Sequence, residues 1–123
     1  MNLSEALLTN IKNCGFKAPT FLQQNLLPLI YKGRDVLASF QGVDEILSFL
    51  IPIVQKMLDN GYKIKTEKFP AEPEAILLAP SRASAVKILT LAKEIVKHLK
   101  IKTELAYSKE SANRIVGAKL IIT

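Results

Sequence analysis

Three adjacent residues, Pro80, Ser81 and Arg82, combine a cation with the expected start of a helix. The first turn of a helix carries backbone N–H groups without helical partners, and these groups attract phosphate oxygens, as does an arginine. The segment is therefore a candidate phosphate-contacting site. The alternative interpretation is a capping segment with a solvated arginine, and the residues leave both interpretations open.

A second polar segment stands just ahead of a long apolar helix and contains Gln41, Gly42, Asp44 and Glu45. Asp44 is suited to cap that helix, and Glu45 complements its dipole. No lysine occurs between Lys32 and Lys56. The residue types alone therefore predict an ordinary capped helix start with an acidic first turn.

Side chains with catalytic or metal-binding spacing are missing from the sequence. His98 is the only histidine and Cys14 the only cysteine. A single thiol forms neither an internal disulfide nor a metal site, and no nucleophile or second histidine accompanies His98. We therefore predict no catalytic residue and no metal ligands in this chain.

The composition predicts one small globular domain. The 123 residues are 49% hydrophobic and 23% charged, which excludes a disordered chain. The net charge of +6 suits binding to phosphate backbones, although charge alone favours the simpler interpretation of a basic soluble surface. No run reaches the roughly 18 apolar residues of a membrane span, and no secretory signal is seen. We expect a cytoplasmic location, with the nucleus as the alternative.

Apolar periodicity predicts two helices followed by alternating strands and helices. Helices are expected at residues 4–13, from residue 19 or 20 to residue 30, from 44 to about 58, from 81 to about 99, and at 108–116. Strands are expected at residues 36–38, 75–79, 104–107 and 120–122. Gly15 suits the left-handed residue that closes the first helix, and Pro28 should kink the second helix or end it early.

This alternation implies right-handed crossovers and an α/β fold with a three-layer parallel sheet. The continuous apolar run 75–79 is expected to be buried on both faces of that sheet. Residues 59–74 are polar and rich in proline and glycine, which predicts a flexible surface loop. A sheet that ends at Thr123 predicts a piece of a larger lobe.

Five segments occur in the order and nearly the spacing of one known family, and they are residues 15–23 (GFKAPTFLQ), 33–38 (GRDVLA), 49–53 (FLIPI), 77–82 (LLAPSR) and 117–123 (GAKLIIT). Together they resemble the N-terminal RecA-like lobe of DEAD-box RNA helicases, beginning with the Q motif. The resemblance spans almost the whole chain. It implies a RecA-like P-loop NTPase fold over residues 1–123, truncated before the DEAD motif.

The resemblance also implies a site for ATP and magnesium. Its cofactor-binding residues would be Phe16, Lys17, Thr20, Gln23, Gln41, Gly42, Asp44 and Glu45. Gln23 would read adenine, because an amide offers the acceptor and donors that match the amino group and N7 of that base. The alternative is a glutamine on the helix surface. The aromatic residue that stacks on adenine in the family would lie before Met1.

The phosphate-binding loop departs from the family. Between residues 33–38 and 49–53 the family has a Walker A loop such as AQTGSGKT, whereas residues 39–48 of this chain read SFQGVDEILS. The stretch between the two segments is one residue shorter than in the family, and Gly42 is its sole glycine. Glu45 and Ile46 stand at the lysine and hydroxyl positions. A carboxylate about 4 Å from a phosphate costs roughly 4 kcal/mol at an effective dielectric near 20. We predict that this loop does not bind ATP tightly.

The resemblance assigns RNA contacts to Pro80, Ser81, Arg82 and Lys109, in motifs that have also changed. The family's TRELA reads SRASA at residues 81–85, and its Gly-Gly turn reads Ser108-Lys109. We expect Lys109 to keep a contact with phosphate. Single-stranded RNA backbone is therefore the predicted partner, together with a protein partner or a second RecA-like lobe.

Three functions remain open from the sequence. The leading hypothesis is a helicase-like module that binds RNA or a protein and does not hydrolyse ATP. Such lobes resemble those in Tudor-domain proteins of the piRNA pathway, for which germ granules are an alternative location. The second hypothesis is part of an active ATP-dependent RNA helicase that unwinds or remodels RNA. The third is an interaction domain without nucleic acid.

Overall fold

The structure is a computed structural model that describes residues 2–39, 44–60, 74–106 and 120–122. The chain forms two compact units, Met1–Gly61 and Tyr62–Thr123. The first unit is helical over its described residues, whereas the second contains three short strands and one helix. The predicted helix at 108–116 and all but the ends of the predicted loop at 59–74 lie outside the described residues.

Helix α1 spans Glu5–Asn13 and has the ends that the sequence predicts. The Ser4 hydroxyl accepts a hydrogen bond from the backbone N–H of Leu7 at 3.3 Å, which satisfies one of the unpaired donors of the first turn. Gly15 closes the helix with φ of +91°, a conformation that glycine adopts without steric cost. Leu7 is fully buried, so α1 contributes directly to the core of this unit.

Helix α2 spans Phe21–Tyr31 and runs through Pro28, so the expectation of an early end was wrong. A proline removes the hydrogen bond that its own nitrogen would donate and crowds the carbonyl four residues earlier, but it leaves the later hydrogen bonds of the helix available. The next turn still closes, because the Lys32 N–H donates to the Pro28 carbonyl at 3.1 Å. Packing of α2 against the next helix along the chain keeps the residues after Pro28 helical.

Helix α3 spans Leu47–Asp59 and is preceded by a 3₁₀ turn at Asp44–Ile46. The prediction that Asp44 caps this helix was wrong: Ile46 occupies the N-cap position, and no side-chain cap hydrogen bond forms. A capping residue normally has an extended backbone, and the tight 3₁₀ turn stands where such a residue would precede the helix. The core of the unit comes largely from the buried apolar side chains of α3, which are Leu47, Leu50, Ile51, Val54 and Met57.

One buried amide ties the helices of the first unit together. Gln55, which is 3% exposed, accepts from the Ser4 N–H at 2.8 Å and donates to Asp59 at 2.8 Å. Asp59 in turn accepts a short hydrogen bond from the Tyr31 hydroxyl at the end of α2. The N-cap of α1 and the last residue of α2 are therefore both connected to α3 through hydrogen bonds.

The second unit contains a parallel three-stranded sheet with β1 at Ala75–Leu77, β2 at Thr103–Leu105 and β3 at Leu120–Ile122. Its order is β1-β3-β2, so the last strand lies in the centre. Ile76 pairs with Ile121, and Glu104 pairs with Ile121 from the other side. Parallel pairing confirms an α/β arrangement in this unit.

Helix α4 spans Arg82–Ile95 and packs mainly on β2, less on β3. The edge strand β1 receives less cover, which leaves Ile76 58% exposed and corrects the expectation of a strand buried on both faces. The helix ends four residues earlier than predicted, because residues with positive φ follow at His98 and Lys100.

The predicted strand at residues 36–38 does not form. The segment has no regular structure, and Leu37 is fully exposed. A short parallel strand is stabilised only by a neighbouring strand, and none of the described strands pairs with these residues. A turn precedes this segment, with Gly33 at φ of +80°.

Candidate functional site

A capping box positions the amide of Gln23 at the start of α2. The Thr20 hydroxyl accepts from the Gln23 N–H at 3.2 Å, and the Gln23 Oε1 accepts from the Thr20 N–H at 3.0 Å. Gln23 is only 4% exposed. The alternative of a surface glutamine is therefore wrong, because the side chain is buried and held in place by the helix start.

A cavity of about 360 Å³ lies beside this amide in the first unit. Its apolar walls come from α1, α2 and α3 and the loop between the first two helices. The residues that line it are Leu3, Leu8, Ile11, Lys12, Phe16, Lys17, Ala18, Pro19, Gln23, Gln24, Leu27, Pro28, Leu47 and Ile51. An apolar concavity with few polar groups is typical of a small-molecule site.

The segment ahead of α3 is acidic and partly buried. Glu45 is half-buried in the 3₁₀ turn, and its Oε2 atom is buried without a hydrogen-bond partner among the described residues. The hydroxyl of Ser48, one turn further on, is in the same situation. The buried carboxylate oxygen of Glu45 repels an anion and favours a donor or a cation, whereas the Ser48 hydroxyl can both donate and accept. Gln41 and Gly42 lie outside the described residues.

The start of α4 in the second unit is a capped helix end that carries Arg82. The Ser81 hydroxyl accepts from the Ser84 N–H at 3.1 Å and donates to the Ser84 hydroxyl at 3.0 Å. Pro80, Ser81 and Arg82 are exposed. The capping interpretation of this segment is therefore correct for Ser81, and it leaves the arginine at a solvent-facing helix start.

The charge of the chain is distributed unequally between the two units. Residues 1–61 contain five basic and five acidic side chains, whereas residues 62–123 contain twelve basic and six acidic ones. The whole net charge of +6 therefore belongs to the second unit. The exposed Arg82 is part of that basic unit, while the cavity belongs to a unit without net charge.

The structure brings together only part of the predicted site. Phe16, Lys17 and Gln23 line the cavity, and Thr20 fixes Gln23 beside it. Glu45 and Asp44 stand in the turn that leads to Leu47, a further lining residue. Lys109 lies outside the described residues.

Sequence reasoning missed Lys12, which lines the same cavity. Its position offered a signal: Lys12 follows Leu8 by four residues, which places both on one face of α1. Leu8 lines the cavity as well.

Two features are absent from the part of the chain that the structure describes. No group of three or more metal-binding side chains comes together within residues 2–39, 44–60, 74–106 and 120–122. No helix among the same residues has the length and apolar character of a membrane span.

Comparison with known proteins shows relatives in one functional group, although no protein-family model matches the chain. A probable ATP-dependent RNA helicase, vasa-like, from Penaeus vannamei is 34% identical over 95 residues, 76% of this chain. The human probable ATP-dependent RNA helicase DDX59 is 35% identical over 80% of this chain. The DEAD-box ATP-dependent RNA helicase RhpA of Helicobacter pylori is 29% identical over 93%.

Together with the parallel strands of the second unit, these relatives identify the chain as an α/β segment of the ATP-dependent RNA helicase type. Homology to these helicases implies a RecA-like fold. The particular family is that of the DEAD-box RNA helicases, to one segment of which this chain is homologous. The chain spans 14% of the shrimp and human relatives and 21% of the bacterial one.

Proposed function

We propose that the chain is a helicase-related module that binds RNA and does not hydrolyse ATP by itself. The observation that carries this proposal is the acid at Glu45, whose Oε2 is buried and without a hydrogen-bond partner among the described residues. This carboxylate stands where the resemblance expects the lysine of the phosphate-binding loop. An acceptor in that position stabilises neither the ground state nor the transition state of phosphate transfer.

The residues of the first unit fit the base of an ATP–magnesium ligand but not its phosphates or its metal ion. The cavity and the buried amide of Gln23 suit a planar base. The phosphate end fits poorly, because no lysine occurs between Lys32 and Lys56 and the helix start carries Asp44 and Glu45. With the hydroxyl position occupied by Ile46, the segment also lacks the usual oxygen ligand for magnesium.

RNA binding is supported by the second unit. Its twelve basic and six acidic side chains make it the basic part of the chain, and Arg82 stands exposed at the start of α4. Contacts of this type go to the phosphate backbone and depend strongly on salt. The same proposal includes a three-layer sheet, a second RecA-like lobe and a protein partner. It also includes a cytoplasmic location and a link to the piRNA pathway.

The test is a pair of assays on the full chain. We expect no phosphate release from ATP and magnesium in the presence of single-stranded RNA. We also expect RNA binding that weakens steeply as salt rises, measured by filter binding. RNA-stimulated phosphate release would refute the lack of hydrolysis. Binding to RNA that is absent or insensitive to salt would refute the RNA part and favour a purely structural interaction domain.

The alternative function is part of an active ATP-dependent RNA helicase, which the names of the relatives favour. Titration with labelled ATP and magnesium separates the two. Micromolar binding that weakens on Gln23→Ala and is followed by turnover supports the active helicase. Matched measurements on Glu45→Lys sharpen the test, since restoring the cation should raise ATP affinity if the loop is otherwise competent.

A further inference from the structure

A lysine cluster lies at the end of α4 and in the turn that follows it. Its members are Lys93, Lys97, Lys100 and Lys102, and all four side chains are exposed. With four lysines and Glu94 as the one acidic residue, residues 93–102 carry a net charge of +3. The helix dipole favours a cation in the last turn of α4, which accounts for Lys93 but not for the three lysines beyond the helix.

The turn that carries the lysine cluster is packed on the core of the second unit. Ile95 and Val96 at the end of α4 are buried, and so is Ile101 ahead of β2. The Leu99 N–H donates to the Val96 carbonyl at 2.9 Å, which closes the turn. The exposed lysines alternate with these buried residues, so the cations belong to a fixed turn. A fixed array of cations loses less conformational freedom when it binds a ligand.

The lysine cluster lies at the opposite edge of the sheet from Arg82. β1 and β2 both pair in parallel with β3, so the amino ends of all three strands lie at one edge. Helix α4 leads from the carboxyl end of β1 to the amino end of β2, which begins at Thr103. Arg82 therefore lies at the carboxyl edge and the lysine cluster at the amino edge. The fourteen residues of α4 separate the two by about 20 Å.

The composition of the lysine cluster suits the backbone of a nucleic-acid duplex. A duplex carries the phosphates of two strands and keeps its bases inside, so it is bound chiefly through charge and shape. Single strands are held partly by rows of aromatic side chains that stack on bases, and the only ring in residues 93–102 is the imidazole of His98.

Two other classes of partner suit the lysine cluster less well. Lysines are depleted from the interfaces between proteins, which disfavours a protein partner. None of the exposed residues between 93 and 102 is apolar, whereas a helix that lies on a membrane buries an apolar face in it. The residues therefore favour a polyphosphate backbone.

We propose that the lysine cluster is a second nucleic-acid surface, which binds the phosphate backbone of double-stranded RNA. It is separate from the start of α4, where Arg82 contacts single-stranded RNA under the proposed function. The proposal rests on the proposed function only in the choice of RNA over DNA, because the lysines themselves recognise phosphate. An RNA with a duplex beside a single-stranded stretch is then held at both ends of α4.

The experiment is fluorescence anisotropy of the full chain with two labelled probes, a blunt RNA duplex and an oligouridylate of the same strand length. The variant is Lys93→Gln/Lys100→Gln. We expect it to bind the duplex about three- to tenfold more weakly and to reduce the salt slope by about two, since each lysine on a phosphate contributes about one. Circular dichroism verifies that the variant is folded.

The matched control is Lys32→Gln/Lys56→Gln, which removes two exposed lysines from the first unit and changes the net charge equally. We expect its affinity for the duplex to stay within about twofold of the unmodified chain, because charges far from the contact are screened by salt. An equal loss in variant and control would overturn the proposal, since only net charge would then matter.

The two probes distinguish this proposal from the proposed function. We expect Lys93→Gln/Lys100→Gln to change oligouridylate binding by less than about twofold, and Arg82→Gln to weaken it while sparing the duplex. Oligouridylate binding that is unaffected by Arg82→Gln would contradict the RNA contact of the proposed function. Duplex binding that depends on Lys93 and Lys100 would still support the lysine cluster.

Three further results would overturn the assignment of the lysine cluster to double-stranded RNA. The first is duplex binding that survives the double substitution. The second is displacement of the duplex by polyglutamate at equal charge concentration, or equally tight binding to phosphatidylserine vesicles, either of which would indicate a surface for any polyanion. The third is tighter binding to a DNA duplex of the same sequence, which would remove the choice of RNA.

Discussion

The two units of the chain differ in what holds them together and in what they present to solvent. The first unit has a core from three helices, a buried amide that links them, and no net charge. The second unit has three short parallel strands under one helix and carries the whole charge of +6. Of the two candidate sites, the cavity belongs to the neutral unit and the exposed arginine to the basic one.

Under the proposed function, this difference assigns different ligands to the two units, a base to the first and an RNA backbone to the second. Binding of a base needs an apolar pocket, and the first unit contains an apolar cavity beside Gln23. Binding of an RNA backbone needs mainly positive charge, which tolerates changes such as those at residues 81–85. A phosphate-binding loop needs specific residues at specific places, and residues 39–48 contain no lysine and a single glycine.

The largest expected effect is on the core of the first unit. Leu50 is fully buried in α3, and Leu50→Ala should lower the free energy of unfolding by about 2–5 kcal/mol through lost burial and the resulting cavity. Leu37→Ala is the matched control, because Leu37 is fully exposed and should change stability by less than about 0.5 kcal/mol. Urea unfolding followed by circular dichroism measures both. Equal losses in the two variants would show that residues 36–38 are packed in solution.

The next effect concerns the buried amide. Gln55→Leu removes the acceptor of the Ser4 N–H and the donor to Asp59, so it should cost about 1–3 kcal/mol of unfolding free energy. The control is Gln24→Leu, since Gln24 is exposed and, within the described part of the chain, its amide donates only to the Pro19 carbonyl, at 3.3 Å. Urea unfolding compares the two. A Gln55→Leu variant as stable as the unmodified chain would mean that the linkage between α1 and α3 is not needed.

The third effect separates the units by function. Arg82→Gln in the basic unit should weaken binding to single-stranded RNA by about fivefold and reduce the salt slope by about one charge. Arg34→Gln makes the same chemical change in the neutral unit and should leave RNA affinity almost unchanged. Filter binding over a salt series measures both variants. Equal losses would end the assignment of RNA binding to the second unit.

The sequence predicted the helices better than the strands. Hydrogen bonds inside a helix are local, so Ser4, Thr20 and Ser81 were sufficient to indicate three helix starts. Strands depend on partners distant in sequence, so residues 36–38 look like β1 in composition and yet form no strand. Asp44 failed as a cap because a 3₁₀ turn precedes α3, and nothing in local composition indicates that turn.

The candidate site was predicted in part for a similar reason. The motif around Gln23 is contiguous, so its members Phe16, Lys17 and Gln23 were found together. Lys12 belongs to another helix, and only the packing of α1 beside α2 makes it a lining residue. Residues on separate elements converge through tertiary structure, which a linear pattern records only as a helical face.

The smallest expected effect is a loss of folding stability at alkaline pH, through the hydrogen bond between Tyr31 and Asp59 in the first unit. The hydrogen bond from the Tyr31 hydroxyl to Asp59 raises the pKa of Tyr31 above its ordinary value of 10.0, with some desolvation and the negative charge of Asp59 acting in the same direction. Folding therefore favours the protonated phenol. The stability from this bond is complete below pH 10.0 and is lost as the pH rises through the higher pKa of the folded state.

Tyr31→Phe removes the titrating group and the hydrogen bond together. We expect the melting temperature of the unmodified chain to exceed that of Tyr31→Phe at neutral pH, and the difference to shrink at alkaline pH because the ionised phenolate no longer donates to Asp59. Every other side chain is the same in the two proteins, so the difference between their melting temperatures isolates the tyrosine. Differential scanning calorimetry across this pH range measures it. A difference that stays constant or grows with pH would show that the bond to Asp59 does not stabilise the folded chain, and that Gln55 links the helices without help from α2.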